Sequence, residues 1–264
     1  MKKLRISFIG AGRVASALGL KFNETGYPVI KVVSVTRENG QRLAAILNAS
    51  WSDDLEFRDD TDLILVAVTD DSLRSVLEKV KCSDETIVAH TAGSLGIDIF
   101  PGHIARKGIF YPLQTFSHDR RPDFRGIPFF IESPDKEVSD ILSGLAMSIG
   151  GTVHFADSLH RRYLHVAAVF ASNFTNYMLT AGKTIAGKAG FDFSVLGPLV
   201  NETVMKAFEN GPENSQTGPA IRNDRKTIEK HIDLLSFSPE FQKTYTEITG
   251  AIISFYLKGT DDKF

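Results

Sequence analysis

From Leu4 to about residue 155, short β-rich apolar runs alternate with stretches whose apolar residues recur at helical spacing. The runs are Leu4–Ile9, Val29–Val35, Leu63–Val68, Thr86–His90, Ile109–Tyr111, Pro128–Ile131 and Thr152–Phe155. Val14, Ala15, Leu18 and Phe22 follow the first run, and Leu73, Val76, Leu77 and Val80 follow the third. Ile141, Leu142, Leu145 and Ile149 precede the last. Strands alternating with amphipathic helices predict a parallel sheet covered on both faces, a doubly wound α/β domain. Asp70 or Asp71 is placed to cap the helix after Leu63–Val68.

After Phe155 the strand pattern stops. Four helical segments are predicted, at about 158–188, 193–209, 224–236 and 239–258, broken by Gly190, by the Asn210–Pro219 loop and by Ser238-Pro239. The domain boundaries expected are 1–156 for a dinucleotide-binding Rossmann domain and 157–264 for an all-α substrate and dimerisation domain. A first helix of about 30 residues exceeds what a globular domain needs, so a homodimer through the helical half is expected.

Charge and composition narrow the partners. The chain has 264 residues, a formal charge of -2 and a single cysteine. Neither a nucleic acid nor a membrane surface is attracted by that balance, and one cysteine makes no internal disulfide. No metal site is predicted, and a small molecule is the default partner. The apolar run at Ile6–Gly10 is too short for a signal peptide, which predicts a cytoplasmic protein. Tyr163 to Leu179 lacks Asp, Glu, Lys and Arg but contains His165, Asn173 and other polar residues, so it reads as a buried core helix and not a membrane span.

Gly10-Ala11-Gly12-Arg13-Val14-Ala15 is G-x-G-x-x-A between the first strand and first helix. Gly10 permits the turn, Gly12 lets backbone amides approach a pyrophosphate, and Ala15 lets the helix lie close to the strand. The phosphates sit on the helix N-terminus. Where an NAD enzyme presents an acid to the ribose, this chain has Thr36 and Arg37. A hydroxyl and a planar guanidinium suit a 2′-phosphate and predict NADP(H). The competing reading makes Arg37 a solvated residue and Glu38 the ribose ligand. Val68-Thr69-Asp70 and His90-Thr91-Ala92-Gly93-Ser94 end two further strands and are expected along the cofactor groove. His90 is either a site residue or a structural histidine.

The fingerprint, together with His90-Thr91-Ala92-Gly93, Tyr111-Pro112-Leu113-Gln114-Thr115-Phe116, His165–Phe174 and Thr217–Asp224, resembles a family of bacterial Rossmann-like NADP oxidoreductases with an uncharacterised helical C-terminal domain. The resemblance covers nearly the whole chain. These proteins are similar in architecture to pyrroline-5-carboxylate reductase and more distantly to the 6-phosphogluconate and 3-hydroxyisobutyrate dehydrogenases. The resemblance implies hydride transfer to or from a small imine or carbonyl compound. Two departures limit it. The hydroxyacid dehydrogenases carry a lysine four residues before an asparagine on the first helix of the second domain, where this chain has Val169 before Asn173. Thr217-Gly218-Pro219 matches the reductase's late Gly- and Thr-rich turn in position but not in sequence. The missing lysine keeps open an NADP(H)-binding sensor that has lost catalysis.

Candidates for the proton donor or polarising group are His165, Asn173 and Arg222. On an α-helix, the eight residues from His165 to Asn173 turn through about 800°, leaving the two within roughly 80° of each other. Either both face one cleft or both are core residues. Arg222 suits a substrate carboxylate, whereas Asp224 is the expected N-cap of the following helix. The substrate is expected against His165, Asn173 and Arg222, with Gln114 opposite and Thr217 and Asp224 near it. Ser117–Arg125 is a basic loop, either a solvated connection or a phosphate lid.

Overall fold

In the computed structural model, which describes residues 3–57, 60–117 and 120–257, every apolar run of the first half forms a strand. The strands are β1 (Ile6–Ile9), β2 (Val29–Val33), β4 (Leu63–Val66), β5 (Ile87–His90), β6 (Arg106–Pro112), β7 (Pro128–Glu132) and β8 (Thr152–Phe155). One strand, β3 (Ser50–Ser52), is missed by the pattern because it has three residues and one apolar side chain, Trp51. The sheet order is β3-β2-β1-β4-β5-β6-β7-β8. Consecutive connections therefore run in opposite directions from β1, and the switch point lies between β1 and β4.

The sheet is mixed, not wholly parallel as the alternation predicts: β6 and β7 pair antiparallel. A parallel return needs a crossover helix. Residues 113–127, where described, carry none. Alternation along the strands supplies the two faces. Ile6, Phe8, Leu63 and Leu65 join one core under α1 (Arg13–Glu24), α2 (Arg37–Leu47) and α4 (Lys136–Ser148). Ile9, Ile64 and Val66 join the other, under α3 (Asp70–Leu77). The cap assignment for α3 is corrected: Thr69 is the N-cap and Asp70 the first helical residue.

The chain divides into two compact units, Met1–Asn173 and Phe174–Phe264. The 158–188 segment is helical throughout but not one α-helix: α5 (Ser158–Ala168) gives way to a π-helical Val169–Phe174 before α6 (Thr175–Lys188). The second unit continues with α7 (Gly197–Asn210), the one-turn α8 (Pro212–Ser215) inside the expected loop, α9 (Arg225–Leu234) and α10 (Pro239–Leu257). Among the described residues no helix is long and apolar enough to cross a membrane. The expectation that Tyr163–Leu179 is a buried core helix is overturned: none of these residues is buried, and Tyr163 is 72% and Phe170 64% exposed.

Candidate functional site

At the switch point, β1 ends in a turn that only glycine fits. Gly10 has φ +109°, and a Cβ there would overlap the carbonyl of Ala67 just beyond β4. Its N–H donates to Val33 O at 2.8 Å, tying the turn to β2. Gly12 faces open space and starts α1 with no side chain capping the helix. Ala15 is wholly buried and Val14 packs beside it in the core under α1. An uncapped helix N-terminus with an unobstructed approach suits an anion. The residues present therefore fit a dinucleotide pyrophosphate.

Gly10, Ala11, Gly12, Thr36, Val68 and Thr69 line one cleft of about 640 Å³. Asn39, Asp53, Ser72 and Lys79 line it too, none of them singled out by sequence. Asp53 follows β3, the strand too short to leave a pattern. At the end of β2, Ser34 Oγ accepts from Thr36 N–H at 3.2 Å and donates to Thr36 O at 3.1 Å, which fixes the turn into α2. The Arg37 guanidinium lies over the Trp51 ring, 5.5 Å from its centroid. The Arg37 side chain thus packs on Trp51 of β3, and both Arg37 and the alternative ribose ligand, Glu38, are exposed in the first turn of α2.

Beyond β5 the residues divide. His90 is wholly buried, stacked on Phe100, and its Nδ1 accepts from Ala92 N–H at 3.2 Å. Nε2 lies toward the Gly96 carbonyl without closing a hydrogen bond on it. Burial pushes the His90 pKa down to about 4, so the ring is neutral. Thr91 N–H donates to Val66 O, and the Ser94 hydroxyl donates to Asp70. Gly93 lies under the ring of Tyr111, where a Cβ would come within 2.6 Å of Cζ. The Tyr111 hydroxyl reaches Nδ1 of half-buried His165 at 3.2 Å. Burial, reinforced by the Asp70 charge, raises the Tyr111 pKa.

His165 is held by its own helix. One turn earlier, Arg161 is completely buried and donates to Leu95 O at 2.8 Å, to Ala156 O at 2.7 Å and to Glu132 on β7. Asn173 lies in the last positions of the π-helical stretch, one residue before its end at Phe174, and is exposed. The wider π turn changes its angular offset from His165, so the α-helical 80° does not apply. Gln114 is exposed and its Oε1 accepts from Thr115 N–H, a local contact.

The remaining candidates lie in the second unit. Asp224 is the N-cap of α9, accepting from Thr227 N–H and Oγ1, and these bonds lower its pKa. Arg222 is exposed in the preceding turn. Thr217 lines an apolar cavity of about 340 Å³ with Met178, Pro219, Phe241 and Ile252, where His231 Nδ1 and the Tyr245 hydroxyl are 2.8 Å apart. Of the Ser117–Arg125 loop, His118 and Asp119 lie outside the described residues; Arg125 pairs with Asp123 at its end.

A Rossmann-like domain model matches residues 1–115, and a model of a domain of unknown function, DUF2520, matches residues 127–252. No match was found among curated proteins. A structure from Bacteroides fragilis, described as a putative NADP oxidoreductase, is 35% identical over 96% of this chain and 98% of that one, with a TM-score of 0.87. An imine reductase from Myxococcus stipitatus in complex with NADP+ is 17% identical over 96% and 93% of the two chains, with a TM-score of 0.64. A reductive aminase from Aspergillus terreus in complex with NADPH is 12% identical over 98% and 95%, with a TM-score of 0.69. The last two share the fold. By its switch-point cradle, its two domain matches and its full-length likeness to the Bacteroides protein, the chain belongs to the Rossmann-like family whose carboxyl-terminal half is the DUF2520 domain.

Proposed function

We propose that this protein is an NADP(H)-dependent oxidoreductase that moves a hydride to or from a small imine or carbonyl compound. The observation that carries the reading is the cradle at Gly10–Ala15, a glycine turn and an uncapped helix at the switch point of an open sheet. Gly10, Ala11, Gly12, Arg13, Val14 and Ala15 hold the pyrophosphate. Thr36 and Arg37 take the 2′-phosphate. Val68, Thr69, Asp70, His90, Thr91 and Gly93 flank the nicotinamide half, with His90 acting through its hold on the Ala92 amide. NADPH, when bound, supplies the hydride; the protein must orient the acceptor carbon and provide a proton.

His165, Asn173 and Arg222 are the groups proposed to polarise or protonate the substrate, with Gln114, Thr217 and Asp224 binding it. The names of the Myxococcus and Aspergillus proteins support an imine as the first substrate class to try. The helical half, 157–264, is proposed to bind substrate and to form a homodimer in the cytoplasm. The test is oxidation of NADPH, followed at 340 nm, with a panel of cyclic imines and 2-keto acids, beside NADPH affinity by fluorescence. Turnover with any member supports the enzyme. Tight binding without turnover across the panel favours a sensor, and absence of binding defeats both.

A further inference from the structure

We propose that Tyr111 is the acid that protonates the substrate and that His165 returns the proton to Tyr111. This rests on the NADP(H)-dependent reading above and replaces direct donation by His165 with a two-residue relay.

Three placements carry it. Tyr111 lies at the carboxyl end of β6, beside the end of β5, on the side of an open sheet where ligands bind. Its ring rests on Gly93, and the missing side chain there is what admits it. Its hydroxyl and His165 Nδ1 are 3.2 Å apart although 54 residues separate them in sequence. Both partners are fixed from behind. Arg161, buried one turn before His165, grips Leu95 O in the loop that follows Gly93. A pair braced from two directions by one loop has the fixed geometry that proton transfer requires.

In the direction of reduction, the acceptor carbon gains the hydride and its two electrons, and NADPH becomes NADP+. The π electron pair of the C=N or C=O bond moves to the nitrogen or oxygen, which takes the proton from Tyr111 Oη. The phenolate then takes the Nδ1 proton of the His165 imidazolium. That leaves a neutral imidazole with its hydrogen on Nε2, and half-buried His165 recovers a proton from water. Besides the His165 ring, Asp70 on α3 and Arg161 on α5 act on the phenol, with opposite effects.

The experiment reads charge and not turnover. 3-Fluorotyrosine is placed at position 111 of the full chain and its ionisation followed by ¹⁹F NMR, once with saturating NADP+ and once with saturating NADPH. The two nucleotides differ in this comparison by the positive nicotinamide ring. If Tyr111 faces the reacting atoms, its acid dissociation constant rises about tenfold or more with NADP+ relative to NADPH. The same probe at position 27, on the loop after α1, responds equally to both. Equal constants at position 111 overturn the assignment while leaving the cofactor reading intact. Failure of either nucleotide to bind, measured on the same samples, overturns the cofactor reading and this one with it. His165→Gln, which keeps a hydrogen-bonding side chain but no titrating ring, is expected to retain the NADP+ effect and to remove the imidazole step from the pH profile of the ¹⁹F shift. Persistence of that step eliminates His165 as the partner.

Discussion

The sheet unit and the helical unit are built from similar proportions of apolar residues but use them differently. In the first, Phe8, Leu18, Phe22, Leu63, Phe110 and Phe129 are wholly buried between the sheet and its helices. In the second, Ala220 and Leu235 are the buried apolar residues among those described, whereas Phe208 is 89% and Leu199 64% exposed. A sheet with helices on both faces closes its core within one chain. A few helices leave apolar sides over, and those sides need another surface. The first unit closes a core between its sheet and helices, and the second leaves most of its large apolar side chains at least partly exposed.

The sharpest test of that contrast is mass. The homodimer proposed above predicts twice the chain mass by light scattering at micromolar concentration, and Phe208→Asp on α7 is expected to shift the population toward monomer. A monomeric wild type at that concentration would overturn the homodimer.

Within the sheet unit the largest single loss is expected from Phe110→Ala. Truncating a fully buried phenylalanine costs about 3–5 kcal/mol, read from urea unfolding. Phe208→Ala, the same change on an exposed site, is expected to cost less than about 0.5 kcal/mol once measured below the dimer dissociation concentration.

Acid comes next. The folded state holds His90 neutral with a pKa of about 4, below the ordinary 6.5, so protonation favours unfolding. The contribution is intact above pH 6.5 and is lost as the pH falls toward 4, at most about 3 kcal/mol. His90→Asn, which keeps an acceptor for the Ala92 amide, should flatten the acid limb of the stability profile. An unchanged slope would assign the acid sensitivity elsewhere.

Arg37→Ala is expected to weaken NADPH by about 1.5–3 kcal/mol, or 10- to 150-fold, with NADH nearly unaffected, since the lost bond is charge-assisted. Equal losses for both would remove the 2′-phosphate assignment. In the helical unit, Asp224→Ala removes the α9 cap and should lower the midpoint of thermal unfolding.

How much of this was legible depended on range. Gly10 to Ala15 could be read directly, because the strand, the turn and the helix start are contiguous and the turn puts Gly10 at a positive φ. The Asp224 cap was legible for the same reason, a side chain bonding three residues ahead. The Asp70 cap was misplaced by one residue, as happens when a Thr and two acids compete for one helix start. The antiparallel β7 was not legible, since alternation gives the same pattern for either direction of a strand buried on both faces.

The site shows the same divide. Local sequence, through hydrophobic period, turn chemistry and the glycine fingerprint, determined the fold class, the order of elements and the pyrophosphate cradle. Tertiary structure alone decided what lies opposite what: Trp51 under Arg37, Asp53 and Lys79 in the cleft, and Tyr111 on Gly93 and His165. Tyr111 stood in a motif already noted, yet attention fell on Gln114, whose side chain accepts from Thr115 next to it. No spacing rule links residues 54 apart. Their meeting depends on how β6 and α5 pack, and packing is a property of the folded chain rather than of any window along it.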